Sequence, residues 1–468
     1  VANDPARPRD PAEVVTESNP KVTYSAVFAD REYRALFLST LINWIGDYLS
    51  RAAVTVLVYH QTQSALLSAA SFAIGYVPWL FGPVLAAFAE RHPYRRVMIV
   101  SDLSRMVLIS LLLLPQLPVP AMLLILLVAG MFAPPTQAAR SALLPTVVGR
   151  ERLALALTIS QTASQTAQVF GYLVGATVAV ALTPRIALGV DVLTFALSAA
   201  LIAFGVRHRP TTMSSAQRTH LLHETAEGFR LVFGHPVLRS IAVVVFTITV
   251  FAIVPEGLAA AWAADITTDP ETRGLGQGLI MAAGPVGFII GGTVFNRIVP
   301  AERRARLIPV LAVLPPLLLV PSLLAPAAPA AALMVLSGGL VQGALTPTLN
   351  AVFVLALPHG FRARAFGVMS SGIQISQLAA VLTTGSLAEH FRVPMVVGLW
   401  SAGGAVAMLF LAFFWPAPAA FARATADAAA TMPDEEKPAA PPVRQPGPAD
   451  ADTGSGTIPT TSVTPERS

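Results

Sequence analysis

Twelve apolar stretches, each of about the length needed to cross a bilayer as a helix, dominate this chain. They run at roughly 33–59, 64–90, 95–114, 119–147, 152–182 and 185–206, then at 237–264, 273–300, 305–326, 328–357, 361–388 and 392–416. About 20 apolar residues span the hydrocarbon core, and every backbone N–H and C=O in it must be satisfied within the protein. Helices meet that demand. The alternating ten-residue strands of a membrane β-barrel are not seen. A composition of 54% apolar and only 12% charged residues excludes an ordinary soluble domain, whose surface needs about a quarter charged residues. The expectation is an all-α, multi-pass membrane protein.

Between the sixth and seventh stretches lies a polar linker, 207–236, whose basic set is Arg207, Arg209, Arg218, Arg230 and, just beyond it, Arg239. Within it HETAEGFRLVFGHP reads as an amphipathic helix at the membrane surface. The linker divides the chain into two six-helix bundles, 33–206 and 237–416, with tails at 1–32 and 417–468 that are polar or low in complexity and read as disordered. The first tail is long and mixed in charge, unlike a cleavable signal. Arginine is distributed unevenly: sixteen lie in one alternating set of loops and three, Arg185, Arg273 and Arg392, in the other. The positive-inside rule places both tails in the cytoplasm. The net charge of +5 then faces lipid headgroups and is no sign of nucleic acid.

An internal repeat relates the bundles. At an offset of 212, Pro135, Thr136, Ala139, Arg150, Arg152, Ser164 and Gln165 fall on Pro347, Thr348, Ala351, Arg362, Arg364, Ser376 and Gln377. Polar residues share the offset with apolar ones, as expected for two parallel repeats.

The stretch GPVLAAFAERHPYRRVMIVSDLSR, 82–105, carries a resemblance. Gly82 on a long apolar helix, Glu90-Arg91 at its end and Arg95-Arg96 opening the next helix resemble the signature loop between helices 2 and 3 of the major facilitator superfamily of secondary transporters. Glutamate stands where that family usually has aspartate, and His92-Pro93-Tyr94 replaces its glycine-containing spacer. The resemblance implies twelve transmembrane helices in two pseudo-symmetric bundles, the major facilitator fold. It also implies that Gly82 allows a close helix approach, and that Glu90, Arg91, Arg95, Arg96, Asp102, Arg105 and Arg140 form a gate cluster at the cytoplasmic face. Gly-Asp in helix 1, Asp102-x-x-Arg105 in helix 3, Ala-Arg-Ser-Ala-Leu-Leu-Pro closing helix 4 and Asp-x-x-Thr-Phe in helix 6 are similar to the enterobactin-exporter and macrolide- or tetracycline-efflux branch. That similarity implies a multidrug-type antiporter of the bacterial cytoplasmic membrane. It would exchange protons for small apolar drug-like molecules, antibiotics or siderophores. In GYLVGA, 171–176, Tyr172 replaces the proline of the drug-antiporter signature.

Ionisable groups at membrane depth cost several kcal/mol, in the range of about 3 or more, unless paired or wet, which makes each a functional candidate. Asn43, Asp47 and Arg51 recur at i, i+4 and i+8, one face of helix 1. Asp47 is either a proton acceptor facing a cavity or one half of a structural pair with Arg51. Glu256 in helix 7 has no basic neighbour on its own helix and is the second proton-coupling candidate, unless it already lies in the wet interface. Asp191 is expected to be interfacial or paired. Arg140 either joins Asp102 or binds an anionic substrate. Gln137, Gln161, Gln165, Gln168, Gln342, Asn350, Gln374 and Gln377 are candidates to line a cavity, or else they join helices to one another. Trp44, Tyr76 and Trp79 could cradle an apolar substrate, and Trp262 is expected at the membrane interface.

No enzyme motif is present, and without a P-loop no ATP-driven pump is expected. No cofactor or metal is expected; the partners are a small-molecule substrate, protons and the bilayer, and the protein is expected to act as a monomer. A proton symporter importing a nutrient, and a lipid-handling or non-transporting protein on the same fold, are the alternatives.

Overall fold

The computed structural model describes residues 24–209, 221–358 and 361–430, and no strand occurs among them. Twelve helical segments follow one another in two sets of six. The first set is α1 (Arg31–Thr62), α2 (Ala65–Ala73, Ile74–Tyr76, Val77–Leu80 and Gly82–Glu90), α3 (Tyr94–Leu111), α4 (Val119–Gly130 and Ala133–Val148), α5 (Arg150–Ala181) and α6 (Pro184–Gly205). The second is α7 (Pro236–Ala252, Val254–Gly257 and Ala259–Ile266), α8 (Pro270–Ile298), α9 (Ala301–Leu319), α10 (Ala328–Leu355), α11 (Arg362–Leu387) and α12 (Val393–Phe413). The repeat is visible in these bounds, since α5 begins at Arg150 and α11 at its offset partner Arg362.

Eight of these helices are long and apolar enough to cross a membrane, and a ninth is α2, which bends by 58° between Leu80 and Gly82. Pro78 and Pro83 flank that bend, and each removes a donor from the helix ladder. The remaining three, α1, α3 and α5, fall short because they carry the charges and glutamines. α3 shows how such a helix is accommodated. Val100, Leu103, Val107 and Leu111 are exposed along one face, while Ser101 and Asp102 are buried on the other. The exposed large apolar side chains, Phe204 and Phe413 among them, belong to helix faces suited to lipid.

Local signals set the ends of α1. The Asp30 carboxylate accepts from the Glu32 amide at 2.6 Å and the Tyr33 amide at 3.1 Å, capping free N–H groups. Glu32, buried, accepts from the Arg207 amide at 3.0 Å and pairs with Arg209, tying the start of α1 to the end of α6.

Two segments depart from the expected tails. Tyr24–Phe28 is a helical turn with Val27 buried and Phe28 edge-on to Tyr33 and Phe37. Pro418–Ala430 is a helix, and Ala424 and Ala428 are buried, the first within the core of the second bundle. Its alanine content and its proline at the first position favour that outcome over disorder. Residues 1–23 and 431–468 lie outside the described residues. The linker helix Leu221–Gly234 inserts Val232 into the same core, and Glu227 meets Arg364 of α11 at 2.6 Å.

The bundles meet at the end away from the linker. One buried cluster there joins Phe72, Tyr76 and Tyr172 of the first bundle to Val254, Trp262, Met281 and Val381 of the second. Gln277 on α8 donates to the Ala52 carbonyl at 3.3 Å and the Thr55 hydroxyl at 3.1 Å on α1. Glu389, after α11, accepts from the Ser64 hydroxyl at 2.7 Å and the Leu66 amide at 2.8 Å at the start of α2. Toward the linker end the core clusters each stay within a single bundle. The cavity between the bundles therefore opens toward the linker.

Candidate functional site

The wall contributed by the first bundle begins with α1. Gly46 leaves room for α6, because a Cβ there would overlap the Thr194 and Asp191 side chains. At that crossing the buried Asp191 accepts from the Ser50 hydroxyl and, at 3.0 Å, from the Thr194 hydroxyl. One turn nearer the linker, fully buried Asp102 of α3 accepts from the Asn43 amide at 3.0 Å and the Ser198 hydroxyl at 2.6 Å. Asp47 pairs with Arg105 of α3, whose guanidinium also lies 4.4 Å from the Phe195 ring centroid. Three carboxyls and one arginine thus join α1, α3 and α6.

The expected Asp47–Arg51 pair is not formed. Asp47 faces α3, whereas Arg51 runs on toward the far end and sits 5.1 Å from the Phe72 ring and 5.4 Å from the Tyr76 ring. Gly75 clears its path, since a Cβ at that position would come within 2.7 Å of the guanidinium. Tyr48 and Tyr172 close the pocket edge-on at 5.2 Å.

Glu256 occupies the opposite wall, in the short helix Val254–Gly257 that interrupts α7. It faces Arg51 and Tyr172 across the space between the bundles, and Gln168 of α5 donates to it at 3.5 Å. Arg51, on the other bundle, is the cation within electrostatic reach, although the two form no ion pair. The wet-interface reading does not hold, because Pro255 and Gly257 on either side are buried and Val254 belongs to the core shared by the bundles.

Three adjoining cavities occupy the space. One of about 550 Å³ contains Arg51, Gln168, Glu256, Gln342, Asn350 and Gln377. A second of about 370 Å³ contains Asn43, Asp47, Arg51, Arg105, Gln137, Arg140 and Gln374. A third of about 310 Å³ adds Gln161 to Gln137 and Arg140. Gln165 lines none of them. Trp44 and Trp79 line the second and third, and Tyr76 the first and second. Trp262 is fully buried between the bundles rather than placed at a membrane interface.

The expected gate cluster is dispersed. Arg95 donates to the Ala203 carbonyl in the last turn of α6, a position where carbonyls lack helical partners. Arg91 and Arg96 are exposed, and the side chain of Glu90 lies outside the described residues. Asp102 and Arg105 engage α1 and α6, and Arg140 engages Gln137 and Trp44. Gly82 has open space beside it, so no helix makes the expected close approach.

Sequence reasoning missed Ser50 and Ser198, hydroxyls that solvate the buried acids, and it met Thr194 only within the Asp-x-x-Thr-Phe pattern, without that role. The i, i+3 spacing of Asp191 and Thr194 was the available signal. Glu389 was also missed, because an acid in a loop looks merely solvated.

Comparison with known proteins bears on the whole arrangement. The family model of the Major Facilitator Superfamily matches residues 36–259. No curated protein matches the chain by sequence. Among solved structures, a peptide transporter POT in complex with sulfate is similar with a TM-score of 0.63 at 14% identity, over 85% of this chain and 95% of that one. A structure from work on substrate recognition in proton-dependent oligopeptide transporters gives 0.62 at 12%, over 85% and 99%. A bacterial homolog of the human lysosomal transporter Spinster, inward-facing and unoccupied, gives 0.61 at 12%, over 86% and 98%. At such identities the likeness establishes the fold: this chain has the major facilitator fold, and the findings together support a multi-pass membrane transporter.

Proposed function

We propose that this chain is a major facilitator superfamily transporter of the bacterial cytoplasmic membrane, with both termini inside. On this reading it exports small, largely apolar drug-like molecules, antibiotics or siderophores in exchange for protons, by alternating access. The arginine bias supports the orientation, which makes the linker end cytoplasmic and the present state inward-facing.

One observation carries the coupling: Glu256 of the second bundle faces Arg51 of the first across the cavity. Attraction between them favours closure of the far end. When the bundles part there, the carboxylate loses its cation and takes a proton from outside instead. Return to the inward-facing state restores Arg51 and releases that proton to the cytoplasm. Exchange then requires that substrate ride outward on the form with deprotonated Glu256 and leave when that carboxyl takes its proton, so that the return carries the proton alone. Asp47 is the second candidate, but Arg105 already neutralises it within its own bundle. Glu90, Arg91 and Arg96 stand at the linker end, where a latch would form on closure of that side.

The test is uptake of a dye and antibiotic panel into inverted vesicles, with and without an imposed proton gradient. Gradient-driven accumulation is expected for the wild type, and Glu256→Gln should abolish it while leaving the protein folded. Asp47→Asn should weaken it less. Full gradient-driven accumulation in Glu256→Gln would overturn the coupling assignment, and accumulation with the opposite gradient dependence would indicate symport.

A further inference from the structure

Three arginines stand in the cavity walls at membrane depth, and their surroundings differ. Arg105 has Asp47, and Arg51 has Glu256 within electrostatic reach. Neither Arg51 nor Arg140 has a carboxylate within ion-pair distance among the described residues, and Arg140 has none within electrostatic reach either. It donates to the Gln137 side chain and lies 4.6 Å from the Trp44 ring centroid. Gln137 in turn reaches Ser141 at 3.5 Å, which holds the amide and so orients the guanidinium. The acids of this bundle's polar crossing are committed elsewhere, Asp47 to Arg105 and Asp102 to Asn43 and Ser198.

A half-buried cation in a low-dielectric wall is costly without a counter-charge, and an amide dipole with one indole face compensates only in part. Arg140 also lies on the boundary of two adjoining cavities, of about 370 and 310 Å³, which share Trp44 and Trp79. That space suits a drug-sized molecule. The charge is confined to one bundle, because the repeat partner of Arg140 is Val352.

We propose that this site takes organic anions: a carboxylate or phosphate bound by the planar guanidinium fork of Arg140, with a flat apolar body lying along Trp44 and Trp79. The proposal rests on the transporter reading and narrows its substrate class from apolar molecules in general to amphipathic acids.

The test uses two xanthene dyes of similar shape and opposite charge, fluorescein and rhodamine 123. Each is titrated against the purified full chain in neutral detergent, with tryptophan quenching and dye anisotropy as readouts. No proton gradient is involved, so the result is independent of whether transport is proton-coupled, and failure of one reading is distinguishable from failure of the other. Saturable fluorescein binding is expected, tighter than that of rhodamine 123. Arg140→Gln should weaken fluorescein about tenfold or more and leave rhodamine 123 unaffected. Arg140→Lys, which keeps the charge and loses the fork, should fall between and serves if the glutamine variant does not fold. Equal binding of both dyes, absence of saturable fluorescein binding, or wild-type fluorescein affinity in either variant would overturn the proposal.

Discussion

The two bundles share a repeat and each has a close glycine crossing, Gly171 and Gly175 of α5 lying against the α1 backbone in the first. Among the described residues, only the first adds a set of buried carboxyls to it. In the first, α1 meets α3 and α6 through carboxyls, hydroxyls and an arginine: Asp47 with Arg105, Asp102 with Asn43 and Ser198, Asp191 with Ser50 and Thr194. In the second, α8 and α10 cross backbone to backbone. A Cβ on Gly291 would overlap the Leu340 carbonyl, and one on Gly343 the Phe288 carbonyl. Gly287 and Gly291 on α8 face Gly339 and Gly343 on α10, two small-x-x-x-small spacings opposed to each other. Such an interface is dry and has no charge to respond with. The polar one has titratable groups throughout. On the coupling proposed above, the second bundle would carry Glu256 as a largely apolar unit against that polar partner.

The largest effect is expected at the glycine crossing. Gly343→Leu places a side chain where another backbone lies, and relief requires moving a whole helix, at a cost of about 3 kcal/mol or more. Loss of monodisperse protein on gel filtration in detergent is the expected outcome. A Gly343→Leu protein that unfolds at the wild-type temperature would show that backbone contact does not hold the second bundle. The first bundle should instead be sensitive to charge. Arg105→Ala leaves Asp47 without its cation, beside two buried acids, for a loss of about 3 kcal/mol. Adding Asp47→Asn should recover much of that loss in thermal unfolding. No recovery in the double variant would mean that Arg105 acts through packing on Phe195 rather than through charge.

This contrast also explains what could be read in advance. Apolar length and arginine bias gave the twelve segments and two bundles, because the bilayer constrains every residue in a span. Periodicity placed Asn43, Asp47 and Arg51 on one face of α1, but it says nothing of which helix stands opposite. Asp47 was thus open to a partner on its own helix, and only the fold brings Arg105 to it. Gly82 drew attention through its motif, yet it faces open space. Gly291 and Gly343 passed unremarked, since a glycine in an apolar helix is informative only once its neighbour is known. The short helix around Glu256 was partly legible in Pro255 and Gly257, but its cation lies some two hundred residues away in sequence, across a tertiary contact.

A smaller change sharpens the account of the polar bundle. Ser198→Ala removes one of the two donors to Asp102 and should cost about 1–2 kcal/mol, read as a lowered unfolding temperature. Ser198→Thr, which keeps the hydroxyl, should cost less if it can be accommodated. Equal losses in the two variants would point to packing rather than to the hydrogen bond.

The smallest expected effect lies where the two bundles touch, at Glu389. Its carboxylate accepts from the Ser64 hydroxyl and the Leu66 amide, so it caps α2 of one bundle from the end of α11 in the other. Those hydrogen bonds hold its pKa below the ordinary glutamate value, Ser64 contributing most and the Leu66 amide next. A lowered pKa means that the contact is fully present above the ordinary carboxylate range. It is lost as pH falls through the lowered value, when the carboxyl takes up a proton. The group is exposed, so solvent screening limits the contribution to less than about 1 kcal/mol. Stability against unfolding should scarcely change in Glu389→Gln. On the alternating access proposed above, the equilibrium between closed and open far ends should move, because opening that end would part Glu389 from Ser64 and Leu66. A pair of spin labels at exposed positions flanking the far end, one on each bundle, would report it by distance. Glu389→Gln at neutral pH should resemble the wild type in acid, with more of the long-distance population. A wild-type distribution that ignores both the substitution and the pH would assign closure of the far end to the buried cluster around Trp262 and Phe72 alone.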